Sequence, residues 1–253
     1  NNLNIQSVST LGGLILGGCS ITNIGGDSIF DIRNNSLITL SSNLGINGNI
    51  EIYGGAIDVD SNITTTTGNI ILDSDFGSGI SSGLNGINIA DATLIKTVSS
   101  GDITLKGRSG TGNISGILGI KSTGGNTSID SAGAIYISGI SESTSSSSTR
   151  GVWLKGTLKA VGNIMLEGQA KSTVNDYDIS VQDITINSGG DLLLDAQNGG
   201  RISMAGNNVI TAAGNQTYYT DNFSPSAGNQ FNGSGVLSIY PDRDSDSFSI
   251  SQS

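Results

Sequence analysis

The chain has no histidine, one cysteine, two prolines and three glutamates in 253 residues. Without histidine, the Ser-His-Asp and Cys-His nucleophilic systems and the usual catalytic zinc sites are excluded. Cys19 stands alone, so no intrachain disulfide forms. Between Gly18 and Ser20 it reads as a small buried hydrophobe. Charge is sparse and acidic, with 11 basic against 21 acidic residues and a net charge of -10. Nucleic-acid binders need a basic stripe that displaces counterions, and no such run is present. The same deficit argues against docking on anionic lipid. No apolar run approaches the roughly 20 residues that span a bilayer; Leu11 to Leu16 is broken by Gly12 and Gly13. The start lacks the basic region and long apolar stretch of a signal peptide. That suggests a chain beginning after processing, or a piece of something longer.

Glycine numbers 38, and apolar residues make up 35% of the total, little for one large round core. Disordered chains, however, are poor in β-branched apolar residues, and Ile recurs here throughout in short alternating runs. Many small cores in series fit that pattern. Apolar–polar alternation marks half-buried strands, and it sits in a cassette of Gly, then Asn or Asp, then apolar-x-apolar. The copies are Gly48-Asn49-Ile50-Glu51-Ile52, Gly68-Asn69-Ile70-Ile71-Leu72, Gly101-Asp102-Ile103-Thr104-Leu105, Gly162-Asn163-Ile164-Met165-Leu166 and Gly190-Asp191-Leu192-Leu193-Leu194, with a looser one at Gly133-Ala134-Ile135-Tyr136-Ile137. From Gly68 the steps are 33, 32, 29 and 28 residues.

A period in this range means a solenoid, propeller or array. Helical repeats are excluded by the abundance of Gly and β-branched residues and the lack of a 3.6-residue stripe. Propeller blades need about 40 residues and longer strands. Between cassettes lie further short strands at Gly86–Ile89, Ser128-Ile129, Asp178–Val181 and Asp183–Ile186. The expectation is all-β: a right-handed parallel β-helix of about eight or nine coils, roughly 40 Å long at strand spacing. Glycine before each strand permits positive φ at the corner, and Asn at successive corners can ladder down the rod.

Residues 1–213 read as these repeats. Residues 214–253 differ, holding Pro225, Pro241 and six of the twelve aromatics. They read as further coils with an inserted loop, or as a cap. Ser141 to Arg150, SESTSSSSTR, reads as a loop thrown out from a corner.

The cassettes, together with Gly151-Val152-Trp153-Leu154-Lys155-Gly156-Thr157-Leu158-Lys159-Ala160 running into Gly162-Asn163-Ile164, resemble the haemagglutinin-type repeats of filamentous adhesins. These are large exoproteins of Gram-negative bacteria secreted by the two-partner route. Asn215-Gln216-Thr217-Tyr218, Leu237-Ser238-Ile239 and Asp242-Arg243-Asp244 are similar to segments of such chains. The resemblance covers most of residues 45 to 253. It implies a β-helical shaft at the bacterial cell surface, serving attachment, aggregation or display of a distal tip. The family's secretion domain carries Asn-Pro motifs, and this chain has none, so the resemblance points to shaft. It implies host or neighbouring-cell surfaces as partners, carbohydrate among them; the expectation of no nucleic acid and no membrane insertion comes from the charge and the apolar runs.

Candidate sites are few. The Asp pairs Asp58/Asp60, Asp73/Asp75 and Asp176/Asp178 each place two carboxylates on one side of a strand. Paired carboxylates can carry glycosidic acid–base chemistry, but solvated outer faces explain them equally well. No catalytic residue and no cofactor is assigned. Asp242, Asp244 and Asp246 are the metal candidate, a trio of oxygen ligands suited to Ca²⁺; a charged turn is the bland alternative. Sequons stand at Asn34, Asn62, Asn113, Asn126, Asn215, Asn222 and Asn232. The Tyr218, Tyr219 and Phe223 group reads either as a carbohydrate platform or as a hydrophobic plug. Three functions are weighed: adhesin shaft, self-associating filament subunit, and polysaccharide-active enzyme, with a non-enzymatic role preferred. If Ca²⁺ binds at Asp242, Asp244 and Asp246, calorimetric titration gives heat and the melting temperature rises with Ca²⁺. Asp244→Asn then abolishes both.

Overall fold

The computed structural model describes residues 3–7, 14–17, 21–22, 28–75, 83–113, 115–145, 149–171, 176–197, 200–241 and 249–250. They form strands, turns and bends, with no helix. The 25 strands among the described residues pair in parallel throughout and wind into three sheets of a β-helix.

The register defines the sheets. In the first, Ile32, Ile52, Leu72, Leu105, Ile137, Leu166, Leu194 and Tyr218 stand one above the next. In the second, Ile38, Ile57, Ile87, Ile120, Val152, Ile179, Ile202 and Phe223 do the same. The third runs Leu44, Ile63, Ile95, Ile129, Leu158, Ile186, Ile210 and Phe231. All are buried except Phe231, which is partly buried and packs on the rest. The first and second sheets are ten strands deep and the third nine, among the described residues. A fully buried Ile or Leu contributes about 1.5–3 kcal/mol, and each coil adds several to a continuous interior stack. Parallel sheets are usually covered on both faces. Here the outer face carries Thr, Ser, Asp, Lys and Asn and is open to water.

The coil length is not constant. Ile32 to Ile52 and Ile52 to Leu72 are 20 residues each, and Leu194 to Tyr218 to Ile239 takes 24 and then 21. The steps of 28 to 33 belong to the middle coils. Their extra residues enter at one corner, between the first and second sheets. In the short coil this corner is Gly54-Gly55 between Ile52 and Ala56 of the single strand Gly48–Val59. In the middle coils it lengthens, as between strands Ile103–Arg108 and Leu118–Ser122. The other two corners keep their length more nearly.

Ser141 to Arg150 belongs to this lengthened corner, and its first half is not thrown out. Ser141, Ser143 and Ser145 are buried. Ser141 Oγ donates to the Ile117 carbonyl at 3.0 Å, and Ser143 Oγ to that of Gly112 at 3.1 Å. The Glu142 amide donates to Ser109 Oγ at 2.9 Å. Short hydroxyl side chains satisfy backbone groups that leave the sheet ladder, so a serine-rich run packs as structure. Residues 146–148 of this run are outside the described residues.

The segment from 214 enters the same three sheets through strands Gln216–Tyr219, Asn222–Pro225, Gln230–Gly233 and Leu237–Tyr240. Aromatic rings replace aliphatic side chains in its interior. Tyr218, Phe223 and Phe231 come one from each sheet, with centroids 5.6, 6.1 and 6.3 Å apart.

The corner between the third and first sheets carries the ladder expected from the cassettes. Each Asn or Asp accepts, through Oδ1, the backbone N–H of its counterpart one coil on. Asn49 receives Asn69 at 2.9 Å, Asn69 receives Asp102 at 2.8 Å, and Asp102 receives Ala134 at 2.7 Å. After a missing rung it resumes. Asn163 receives Asp191 at 2.9 Å, Asp191 receives Asn215 at 2.7 Å, and Asn215 receives Val236 at 3.1 Å. Two different needs place the cassette glycine. Gly101 has φ +108°, and an added Cβ would lie 1.8 Å from the Gly68 carbonyl oxygen. At Gly190 the Cβ would instead meet Asn163 Oδ1 at 2.1 Å, so there the ladder side chain itself occupies the space.

The missing rung is at Ala134, whose side chain has no acceptor to offer Asn163. The room for one exists, because Gly162 is already glycine and a Cβ there would meet nothing closer than 3.2 Å. Ala134→Asn is therefore expected to stabilise the fold by about 1 kcal/mol, raising the melting temperature by about 2–4 °C. Asp191→Ala is expected to lower it by a comparable amount, both read by thermal melting.

Candidate functional site

The lengthened corner is where the charged side chains gather. Arg108 reaches in two directions from its coil. Its Nε and Nη2 hold the carboxylate of Asp75 one coil back, the latter at 3.2 Å, and its Nη1 holds Glu142 one coil on. Glu142 also pairs with Lys171 on the following coil. Four residues on four successive coils thus form one alternating chain of charge. The Glu142 side chain is 10% exposed, so solvent and salt screen its pairs less than they screen surface pairs. The Asp75 carboxylate holds the Arg108 guanidinium above its ordinary value.

The three aspartate pairs occupy separate places. Asp58 is half-buried on the outside of the second sheet, and burial raises its carboxyl above the usual range. Asp73 Oδ1 accepts the Asp75 amide at 2.8 Å, while Asp75 serves Arg108. Asp176 and Asp178 are not on a solvated face. They are 4% and 6% exposed. Asp176 Oδ1 accepts the Thr149 amide at 2.9 Å. Asp178 accepts Ala170 N–H on one oxygen and Arg201 N–H on the other, each at 2.7 Å. These two carboxylates serve as acceptors for backbone amides that the corner leaves without sheet partners. Burial lifts the Asp178 carboxyl to about 6 against its amide hydrogen bonds.

Asp242, Asp244 and Asp246 lie outside the described residues. Among the described residues no three His, Cys, Asp or Glu side chains gather in a way that could hold a metal ion. The sequons divide by exposure. Asn34 is buried, with Oδ1 accepting the Ser36 amide at 2.9 Å, and is closed to a glycosylating enzyme in the folded chain. Asn62 is half-buried and Asn215 exposed; both spend Oδ1 on ladder bonds, to Leu94 and Val236. Asn222 is half-buried. Asn113, Asn126 and Asn232 are exposed.

The aromatic group at 218–223 splits. Tyr218 and Phe223 are core, and burial pushes the Tyr218 phenol up. Tyr219 points outward and stacks on Tyr240 at 5.5 Å and 25°. It borders a shallow trough of about 420 Å³ on the first sheet, floored by Met165 and Leu193.

A second grouping stands on the second sheet beside the lengthened corner, built around Trp153. Lys121 precedes Trp153 by one coil in register. Lys121 Nζ lies 5.7 Å, Lys155 Nζ 5.4 Å and Arg150 Cζ 4.9 Å from the centre of its ring. Tyr177, in register above Arg150, carries Arg201 over its ring at 5.0 Å. All six are partly exposed. Such contacts are worth about 0.5–2 kcal/mol each. The signal was present in the chain, since Lys121 and Trp153 are one repeat apart. It emerges only when coils are stacked in register, because the lengthened corners give each coil a different length.

The chain matches no family model, no curated protein and no solved structure.

Asp178 gives a pH dependence with a definite sign. Its folded value of about 6 exceeds the ordinary 3.8. Between these values the folded chain binds more protons than the unfolded one. Its contribution is therefore fully present below pH ~4 and lost as pH rises through ~6. Asp58 and Asp73 shift the same way and Asp91 the opposite way, so the comparison must be with a variant. Subtracting the melting profile of Asp178→Asn from that of the native chain is expected to leave a relative stabilisation of the native chain on acidification from pH 7 to pH 4.

Proposed function

We propose that this chain is a structural shaft segment of a secreted bacterial surface protein, holding an adhesive or aggregating surface away from the cell. One observation carries the reading: the amide and carboxylate side chains at the corners are committed to holding coils together. The corner Asn and Asp residues bond the next coil's backbone. Asp75, Arg108, Glu142 and Lys171 bind four coils in series. Asp176 and Asp178 brace a corner. The likeness of the cassettes to adhesin repeats supports the surface location and the two-partner secretion route.

A rod built this way is rigid along its axis and has a cross-section set by three short sheets. The purified chain at micromolar concentration is expected to scatter as a monomeric rod with a stack roughly 45 Å long at strand spacing. Filaments in negative stain would replace the shaft reading with that of a self-assembling subunit. Release of reducing or unsaturated sugars from a polysaccharide panel would replace it with that of an enzyme.

A further inference from the structure

We propose that the patch centred on Trp153 binds a linear acidic polysaccharide carrying one carboxylate per sugar, laid along the rod. The inference stands apart from the shaft reading and would hold for a filament subunit as well.

Charge carries the argument. Three cations converge on one ring within 5.7 Å of its centre, and a fourth lies one ring away. Like charges at such spacing repel, and none of the four is in ion-pair contact with a carboxylate among the described residues. Elsewhere on the rod Arg33, Lys96 and Lys171 each hold one and Arg108 holds two, while Lys106 and Lys159 are single cations outside any cluster. The carboxylates next to the patch are turned inward. Burial holds the Arg150 guanidinium below its ordinary value, with Tyr177 and then Asp176 working the other way; Asp176 Oδ1 is taken by Thr149, and Asp178 is taken by Ala170 and Arg201 amides. The Nε atoms of Arg150 and Arg201 and the Oδ2 atom of Asp176 are buried without hydrogen-bond partners, so an incoming anion would meet only the exposed remainder of each half-buried arginine. The missing component is an anion.

Shape and charge density narrow the class. Lys121, then Arg150, Trp153 and Lys155, then Tyr177, then Arg201 belong to four successive coils. The patch therefore extends roughly 15 Å along the axis, too long for one small anion and directed like a polymer. Duplex nucleic acid carries a charge about every 1.7 Å, far denser than four cations spread over the patch can match. One carboxylate per sugar spreads its charge widely enough for four separated cations. A guanidinium fork pairs a planar carboxylate in bidentate fashion. The apolar faces of sugar rings then find Trp153 and Tyr177 as platforms.

The test is titration of the full chain with polygalacturonate, beside neutral dextran, dextran sulfate and a single-stranded oligonucleotide. Polygalacturonate is expected to bind tightest, in a salt-sensitive manner. Trp153→Ala, and separately Lys121→Ala with Lys155→Ala, are each expected to weaken binding about tenfold or more. The lysine variant should still unfold cooperatively, with a melting temperature within several degrees of the native one, which separates loss of binding from loss of fold. Lys159→Ala, on the outer face of the third sheet, should leave binding unchanged. Absence of binding by the native chain, equal binding by the lysine variant, or loss with Lys159→Ala would overturn the proposal. So would equal binding of dextran, which would make the charges irrelevant, or tighter binding of dextran sulfate or the oligonucleotide, which would reduce the patch to a general polyanion trap.

Discussion

Every coil depends on hydrogen bonds that run along the axis of the rod. A strand of three to five residues is too short to be stable alone, and here it borrows order from the coils on either side. The Oδ1 atoms of Asn49, Asn69, Asp102, Asn163, Asp191 and Asn215 extend that axial bonding into corners, where backbone pairing would otherwise lapse. The same demand fixes the register. Ile, Leu and Val recur at equivalent positions because the axial bonds place each inward side chain directly on its predecessor.

This repetition is why the fold was legible in the chain. Alternation gave the strands and their inward faces, and the Gly-Asn/Asp pair gave the corner that became a ladder. The intrinsic coil was harder to see. The spacing of 28 to 33 residues describes coils that had already been lengthened, while the 20-residue coil shows itself in Gly48 to Gly68 and in the plainer turns after residue 190. Serine-rich composition also misled. A run such as SESTSSSS looks like a solvated loop, yet hydroxyls that satisfy nearby carbonyls let Ser141, Ser143 and Ser145 pack inside.

The site was less legible than the fold, for a physical reason. A solenoid brings together residues whose separation equals the length of the coil between them, and those lengths vary. Lys121, Trp153 and Arg201 therefore become neighbours on one face without any fixed spacing. The paired aspartates had the opposite fate. Two residues apart in sequence and suggestive of acid–base chemistry, Asp176 and Asp178 are drawn in to cap amides at the lengthened corner. Tyr218 and Tyr219 part company for the simplest reason, since neighbouring residues of a strand face opposite ways.

Length is added to this rod at one corner far more than at the others. Between Tyr53 and Ala56 two glycines suffice, whereas the coils above route a dozen or so residues through the same place without disturbing the stacks on either side. The corner therefore works as an open port in an otherwise closed design. A peptide of foreign sequence grafted at Gly54-Gly55 would meet the same tolerance, and a series of such grafts on successive coils would be displayed in a single file with a pitch of one strand.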